Sequence, residues 1–193
     1  AIQKKINNNT KNNVLKSFLF LINKEKEKII LENNKDIKFA FKKKIKSNLI
    51  ERLVLNQKKI KSLKKSVKDI IKLEDPINKI LERWRRPNGL LIRKISTPIG
   101  IIGVIYESRP NVTSDISSLC FKSGNAVILR GGSEAINTNR ILASLFRKAL
   151  KINKVDPNFV QFINDRNRKI VDFMLSKMVN KIDVIIPRGG KNL

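Results

Sequence analysis

Apolar residues between Val14 and about Leu55 fall in clusters: Val14, Leu15, Phe18, Leu19 and Ile22, then Ile29 and Ile30, then Phe39, Phe41 and Ile45, then Leu49 and Leu53. That spacing predicts amphipathic helices. Ile60, Leu63, Val67, Ile70 and Ile71 predict another. It is closed by Asp75-Pro76, because a proline disfavours helical backbone in the residue before it. After the turn signal Pro87-Asn88-Gly89 the texture changes. Leu90 to Ile95 alternates apolar and basic positions, as an edge strand does. Pro98 then introduces IGIIGVIYE, the continuous apolar run of a buried parallel strand. A helix from about Thr113 to Lys122, a strand from Asn125 to Leu129 and a helix from about Glu134 to Leu150 follow. A strand at Phe159 to Ile163, a helix at Arg168 to Met178 and a strand at Ile182 to Ile186 complete the series. Strands alternating with helices predict an α/β fold with a parallel sheet and right-handed crossovers, preceded by amphipathic N-terminal helices.

Charge changes this picture little. Lys and Arg number 42 against 16 acids, a formal net charge of +26. Such a balance raises nucleic acid as a partner. The excess is spread through Lys, Asn and Ile along the first half, without a stripe of interleaved aromatics, so it reads as solvated helix faces and no nucleic-acid partner is expected. Cys120 is the sole cysteine, which precludes an intrachain disulfide and fits a reducing compartment. Without histidine, a metal site is not expected either. The apolar run IGIIGVIY is too short to span a bilayer, and the basic, Asn-rich start lacks a signal-peptide core. The reading is of a soluble, cytoplasmic protein with no membrane partner.

Candidate chemistry gathers where the strands end. In open parallel sheets ligands sit at the carboxyl ends of strands, where ESRPN, RGGSE and PRGGKNL all fall. Arg130-Gly131-Gly132-Ser133-Glu134 joins a strand end to a helix start. Glycine permits close backbone approach, a helix N-terminus favours anions, and arginine offers a fork suited to phosphate. Pro187-Arg188-Gly189-Gly190 repeats the arrangement. The pair suggests a dinucleotide, although each loop alone is weak, since a Gly-Gly turn is more often only a turn, and no GxGxxG is present. In the first loop Asn111 offers an amide to an oxyanion and Arg109 a cation to a carboxylate or leaving group; the alternative makes Pro110-Asn111 merely the start and cap of the next helix. Cys120, among Ile116, Leu119 and Phe121, reads as a buried apolar residue and not a nucleophile.

The run PIGIIGVIYESRPNVTSDISSLCFKSGNAVILRGGSEAINTN, with LIERLVLNQKKIKSL before it and IDVIIPRGGKNL after it, resembles the gamma-glutamyl phosphate reductases. These are also called glutamate-5-semialdehyde dehydrogenases and belong to the aldehyde dehydrogenase superfamily. The resemblance implies a Rossmann-like parallel sheet of that type. Its parts would be a helical region over 1–89, an oligomerisation-type edge strand over 90–97 lacking its partner strands, and an NADP-binding region over 98–193. It implies NADPH-dependent reduction of L-glutamate 5-phosphate to L-glutamate 5-semialdehyde, in proline biosynthesis. A cysteine thiolate displaces phosphate and hydride reduces the resulting thioester. A functional link to glutamate 5-kinase is implied, and the complete enzyme has room to be a homo-oligomer. Arg130 matches the basic residue near the adenosine ribose, where it would also meet a 2′-phosphate. Ser133 or Glu134 would reach the ribose hydroxyls. Gly131, Gly132, Arg188, Gly189 and Gly190 would complete the cofactor side, with Glu107 and Arg109 on the substrate side. Asn111 matches the oxyanion asparagine in residue type only; alignment by spacing points instead to Glu107 or Arg109. The family's nucleophilic cysteine lies beyond PRGG, so the chain is expected to be the N-terminal part of the enzyme, with the catalytic domain absent and no activity alone. The alternative is a noncatalytic NADP-binding or interaction fragment.

Overall fold

The computed structural model describes residues 6–107 and 109–189. Four helices come first: α1 (Asn8–Lys24), α2 (Lys26–Lys42), α3 (Ser47–Leu53) and α4 (Gln57–Lys72). α1 starts upstream of its apolar cluster because the Asn7 side chain caps it, accepting from the Thr10 amide at 2.8 Å. Asn56 caps α4 in the same way, through the Lys59 amide at 2.9 Å. The predicted stripe of α4, Ile60, Leu63, Val67 and Ile70, is buried.

Next comes a strand that the pattern does not announce. β1 (Ile80–Arg85) pairs antiparallel with β2 (Leu91–Ile95) in a two-stranded ribbon. The segment 1–89 is therefore not wholly helical, and the predicted edge strand has a partner within this chain. Every residue of β1 is exposed, so ILERWR carries no burial alternation to betray it. The turn between the strands uses Gly89 at φ +84°, a conformation open to glycine, and the Arg86 amide bonds to the Leu90 carbonyl at 2.9 Å.

The remaining elements build the main sheet. β3 (Ile101–Tyr106), α5 (Pro110–Lys122), β4 (Ala126–Gly131), α6 (Ile136–Ile152), β5 (Val160–Phe162), α7 (Lys169–Lys177) and β6 (Val184–Arg188) form a parallel sheet in the order β5-β4-β3-β6. The chain steps outward from β3 to β5, then returns to the far side of β3. The β3/β6 boundary is thus the topological switch point, where a crevice opens beyond the strand ends. Two boundaries move relative to the sequence reading. β4 extends through Arg130 and Gly131, placing both within the strand, and a short 3-10 turn over Ser133–Ala135 precedes α6.

One sheet face, Ile102, Val104, Tyr106, Val127 and Leu129, packs with buried residues of α1, α4, α5 and α6 in a single core. Phe18, Phe121, Phe146 and Phe159 make tilted and edge-on contacts there at 4.8–5.9 Å between centroids. The other face, with Ile105 and Ile128, packs against Met174 of α7 and Ile182. Two buried ammonium groups pin α1 to its neighbours. Lys11 Nζ donates to both Asp75 carboxylate oxygens, at 2.9 and 2.8 Å. Lys122 Nζ, at the end of α5, donates to Asn8 Oδ1 at 2.8 Å and Asn12 Oδ1 at 2.7 Å. Buried charge needs such partners. No helix among the described residues is long and apolar enough to cross a membrane.

Candidate functional site

Two adjoining cavities open at the carboxyl ends of the strands, of about 320 Å³ and about 610 Å³. Tyr106, Glu107, Arg109 and Arg52 of α3 line both. The smaller also takes Arg188 and Gly189, so it sits at the β3/β6 switch point. The larger extends to Arg130, Gly132, Ser133 and Glu134, and across to Arg166, Arg168, Val171 and Asp172. Its lining includes five arginines against three carboxylates, beside an apolar wall from Ile45, Leu49 and Ile50. A volume in the range of small-molecule sites, a cationic rim and an apolar wall suit a phosphorylated ligand with a flat hydrophobic ring.

The structure brings Glu107, Arg109, Arg130, Gly132, Ser133, Glu134, Arg188 and Gly189 to these cavities. Gly190 lies outside the described residues. Asn111 is not brought there. α5 already begins at Pro110, with Arg109 in the N-cap position, so Asn111 falls on the first helical turn, exposed, where its amide donates to Asp115 Oδ2 at 3.1 Å. Of the alternative reading, Pro110 does start the helix, but Asn111 is not its cap: the N-cap position is Arg109, and no side-chain cap hydrogen bond is found there among the described residues. Proline serves the N1 position instead, where an amide proton would lack an intrahelical partner anyway.

Gly131 faces inward. A Cβ there would lie 2.3 Å from Asn139 Nδ2 and 3.0 Å from the Tyr106 ring. Behind it stands a buried relay in which Thr113 Oγ1 donates to Asn139 Oδ1 at 2.8 Å. Since threonine has one hydroxyl proton, Tyr106 must be the donor in its 2.7 Å contact with Thr113. Burial pushes the Tyr106 phenol well above its ordinary pKa, which keeps it a donor.

The helix after RGGSE does not present a vacant anion site at its first turn. Asp36 of α2, fully buried, accepts there from the Asn137 amide at 3.1 Å, the Thr138 amide at 2.8 Å, Asn137 Nδ2 at 2.8 Å and Thr138 Oγ1 at 2.7 Å. The start of α6 thus already holds a carboxylate. The arginine side chains that line the cavity are the cations available to a ligand anion there. Sequence reasoning missed Asp36, but a signal exists: Ile29, Asn33, Asp36 and Ala40 share the buried face of α2, so two polar residues interrupt an apolar stripe. Arg52, Arg166 and Arg168 were missed without such a signal, because exposed arginines near helix ends look alike until the fold places them.

Cys120 lies in α5 within the main core, and burial pushes its thiol up to about 11. At pH 8 roughly one molecule in a thousand would carry a thiolate there. Iodoacetamide is therefore expected to label the folded protein far more slowly than the unfolded chain, with the rate climbing toward pH 11. The raised value favours the neutral thiol in the fold, so its contribution to stability is complete below the unfolded pKa and is lost as pH rises through about 11. Rapid labelling at pH 7 would contradict the burial.

Comparison with known proteins fits this geometry. No family model matches the chain. The fold is that of the aldehyde dehydrogenases: a solved propionaldehyde dehydrogenase from Rhodopseudomonas palustris superposes with a TM-score of 0.67 over 97% of this chain and 39% of that one, at 14% identity. More similar is the crystal structure of gamma-glutamyl phosphate reductase from Thermotoga maritima, with a TM-score of 0.94 and 36% identity over 98% of this chain and 45% of that one. In sequence, the gamma-glutamyl phosphate reductase of Thermoanaerobacter sp. (strain X514) is 46% identical over 188 residues, 97% of this chain and 45% of the relative. The chain belongs to the gamma-glutamyl phosphate reductase family, and it spans just under half the length of these reductases.

Proposed function

We propose that this chain forms the cofactor-binding part of an NADPH-dependent reductase acting on L-glutamate 5-phosphate, and that it binds NADPH in the larger cavity. The observation that carries the reading is the convergence of the β3, β4 and β6 ends, with their arginines, around two adjoining cavities at the sheet's switch point. NADPH, when bound, supplies the hydride. The chain's own residues bind and orient. Glu134, which accepts a 3.0 Å hydrogen bond from Ser133 Oγ, is placed for ribose hydroxyls, and Gly132 leaves room beside them. Val171 and the apolar wall of Ile45, Leu49 and Ile50 would hold the adenine. Arg109, Arg188 and Arg52 frame the smaller cavity, where the substrate's phosphate and carboxylate require cations. Glu107 stands on that substrate side. Asn111 carries no oxyanion role in this arrangement, because its amide is turned to Asp115. The β1–β2 ribbon, with Leu81, Trp84 and Ile95 exposed, is the segment through which a complete enzyme would oligomerise.

The test is a titration of the purified protein with NADPH, followed by nucleotide fluorescence. Saturable binding displaced by 2′,5′-ADP is expected. Failure to bind either NADPH or NADH would overturn the cofactor assignment.

A further inference from the structure

Arg130 matches the residue expected to read a ribose 2′-phosphate, yet its guanidinium is largely buried and partly engaged by backbone carbonyls. The residue is only 8% exposed. Nη1 donates to the Gly131 carbonyl at 3.2 Å and Nη2 to the Arg166 carbonyl at 3.5 Å, while Nε has no partner among the described residues. A phosphate grips arginine through two N–H groups of the fork, and here each terminal nitrogen already gives one of its two N–H groups to a backbone carbonyl.

What Arg130 holds is the segment linking β5 to α7. That segment is shaped by its own side chains: Asp165 Oδ1 accepts from the Asn167 amide at 2.8 Å, and Asn167 Oδ1 accepts from the Lys169 amide at 2.9 Å. The Val171 amide is taken by the Arg168 carbonyl at 2.9 Å. The opening amides of α7 are therefore engaged within the segment, and recognition of an anion there falls to side chains. Two arginines supply it. Arg166 lays its guanidinium over the Phe39 ring of α2, 4.3 Å from the centroid, which fixes a flexible side chain on the cavity wall. Arg168, in the N-cap position of α7, is exposed and lines the same cavity. The carboxylates nearby are Glu134, Asp165 and Asp172.

We propose that Arg168, together with the Phe39-stacked Arg166, distinguishes a phosphorylated from an unphosphorylated adenosine ribose, and that Arg130 is a positioning residue that holds their segment through the Arg166 carbonyl. This rests on the cavity being the dinucleotide site. Segment and stack together present two exposed cations beyond the end of β5, while Arg130 lines the same cavity as a largely buried side chain.

The experiment measures NADPH and NADH dissociation constants for the wild-type protein and for Arg168→Ala, Arg168→Lys, Arg166→Ala and Arg130→Ala, with 2′-AMP and 5′-AMP as competing probes. Arg168→Ala should weaken NADPH about tenfold or more and leave NADH within about twofold, the loss of one charge-assisted contact. Arg168→Lys should restore part of the difference, and 2′-AMP should follow NADPH. Arg166→Ala should erode the same ratio by a smaller factor. Equal losses for both nucleotides, or a preference abolished by Arg130→Ala but untouched by Arg168→Ala, would overturn the assignment. A wild-type protein that binds NADPH and NADH equally would sink it while leaving the dinucleotide site standing. Binding of neither would remove the site itself.

Discussion

Asp36→Ala is expected to destabilise the protein by about 3–4 kcal/mol, because four donors lose one buried acceptor group and each unsatisfied buried donor costs about 1–3 kcal/mol before relaxation. The carboxylate does for α6 what an N-cap residue ordinarily does from within its own chain segment, but it comes from α2. Asn33, on the same helix face, extends the arrangement: its amide donates to Thr138 Oγ1 at 3.1 Å and to the Leu53 carbonyl at 3.0 Å, and its oxygen accepts from the Leu55 amide at 2.7 Å. α2 therefore sets both the start of α6 and the path of the chain leaving α3, next in sequence to Ser133, Glu134 and Leu53, which line the larger cavity. Asp36→Asn should be nearly as damaging, since either orientation of the amide turns a donor toward donors. A chemical denaturation midpoint is the measure, with the slope unchanged. A fall of less than about 1 kcal/mol would show that α6 can start without this carboxylate.

The parallel sheet was legible because burial on both faces writes a continuous apolar run, as in IGIIGVIY, and because strand and helix periods alternate clearly after Pro98. The place of the candidate site was legible as far as chain connectivity reaches. A strand end followed by glycine and a helix marks where a ligand can sit, and Arg109, Arg130, Ser133, Glu134 and Arg188 do meet at the strand ends. The direction in which each residue faces was not legible. Gly131 looks like ligand-approach backbone until β4 is seen to include it, and Arg130 looks like a free fork until its carbonyl partners are found. Asn111 has the right residue type but a helix that starts one residue before it. β1 escaped because a two-stranded ribbon with both faces in solvent needs no alternation, and its identity lies in its pairing with β2. The contribution of α3 through Arg52, and of α2 through Asp36 and Phe39, depends on packing between segments about a hundred residues apart, of which local sequence carries at most the mark of a polar residue on an apolar stripe.

The two glycines of RGG should separate packing from binding. Gly131→Ala places a methyl group 2.3 Å from Asn139 Nδ2 and 3.0 Å from the Tyr106 ring, in a core already closed by the Tyr106–Thr113–Asn139 relay. Neither neighbour can yield cheaply: Tyr106 is 1% exposed and Asn139 fully buried, so a shift of either breaks a buried hydrogen bond. Overpacking of this kind costs about 1–3 kcal/mol, and the lost hydrogen bond adds about 1 kcal/mol more. The expected result is a lowered Tm with no nucleotide present. Gly132→Ala is the contrasting case. Its backbone, at φ −56° and ψ 146°, is one that alanine adopts readily, and the residue lines the larger cavity. Stability should stay within about 0.5 kcal/mol of wild type, as for most substitutions outside a core, while NADPH binding weakens because the added methyl occupies ligand space. An unchanged Tm for Gly131→Ala together with lost NADPH binding would reverse the assignment and make Gly131 the residue that the ligand approaches.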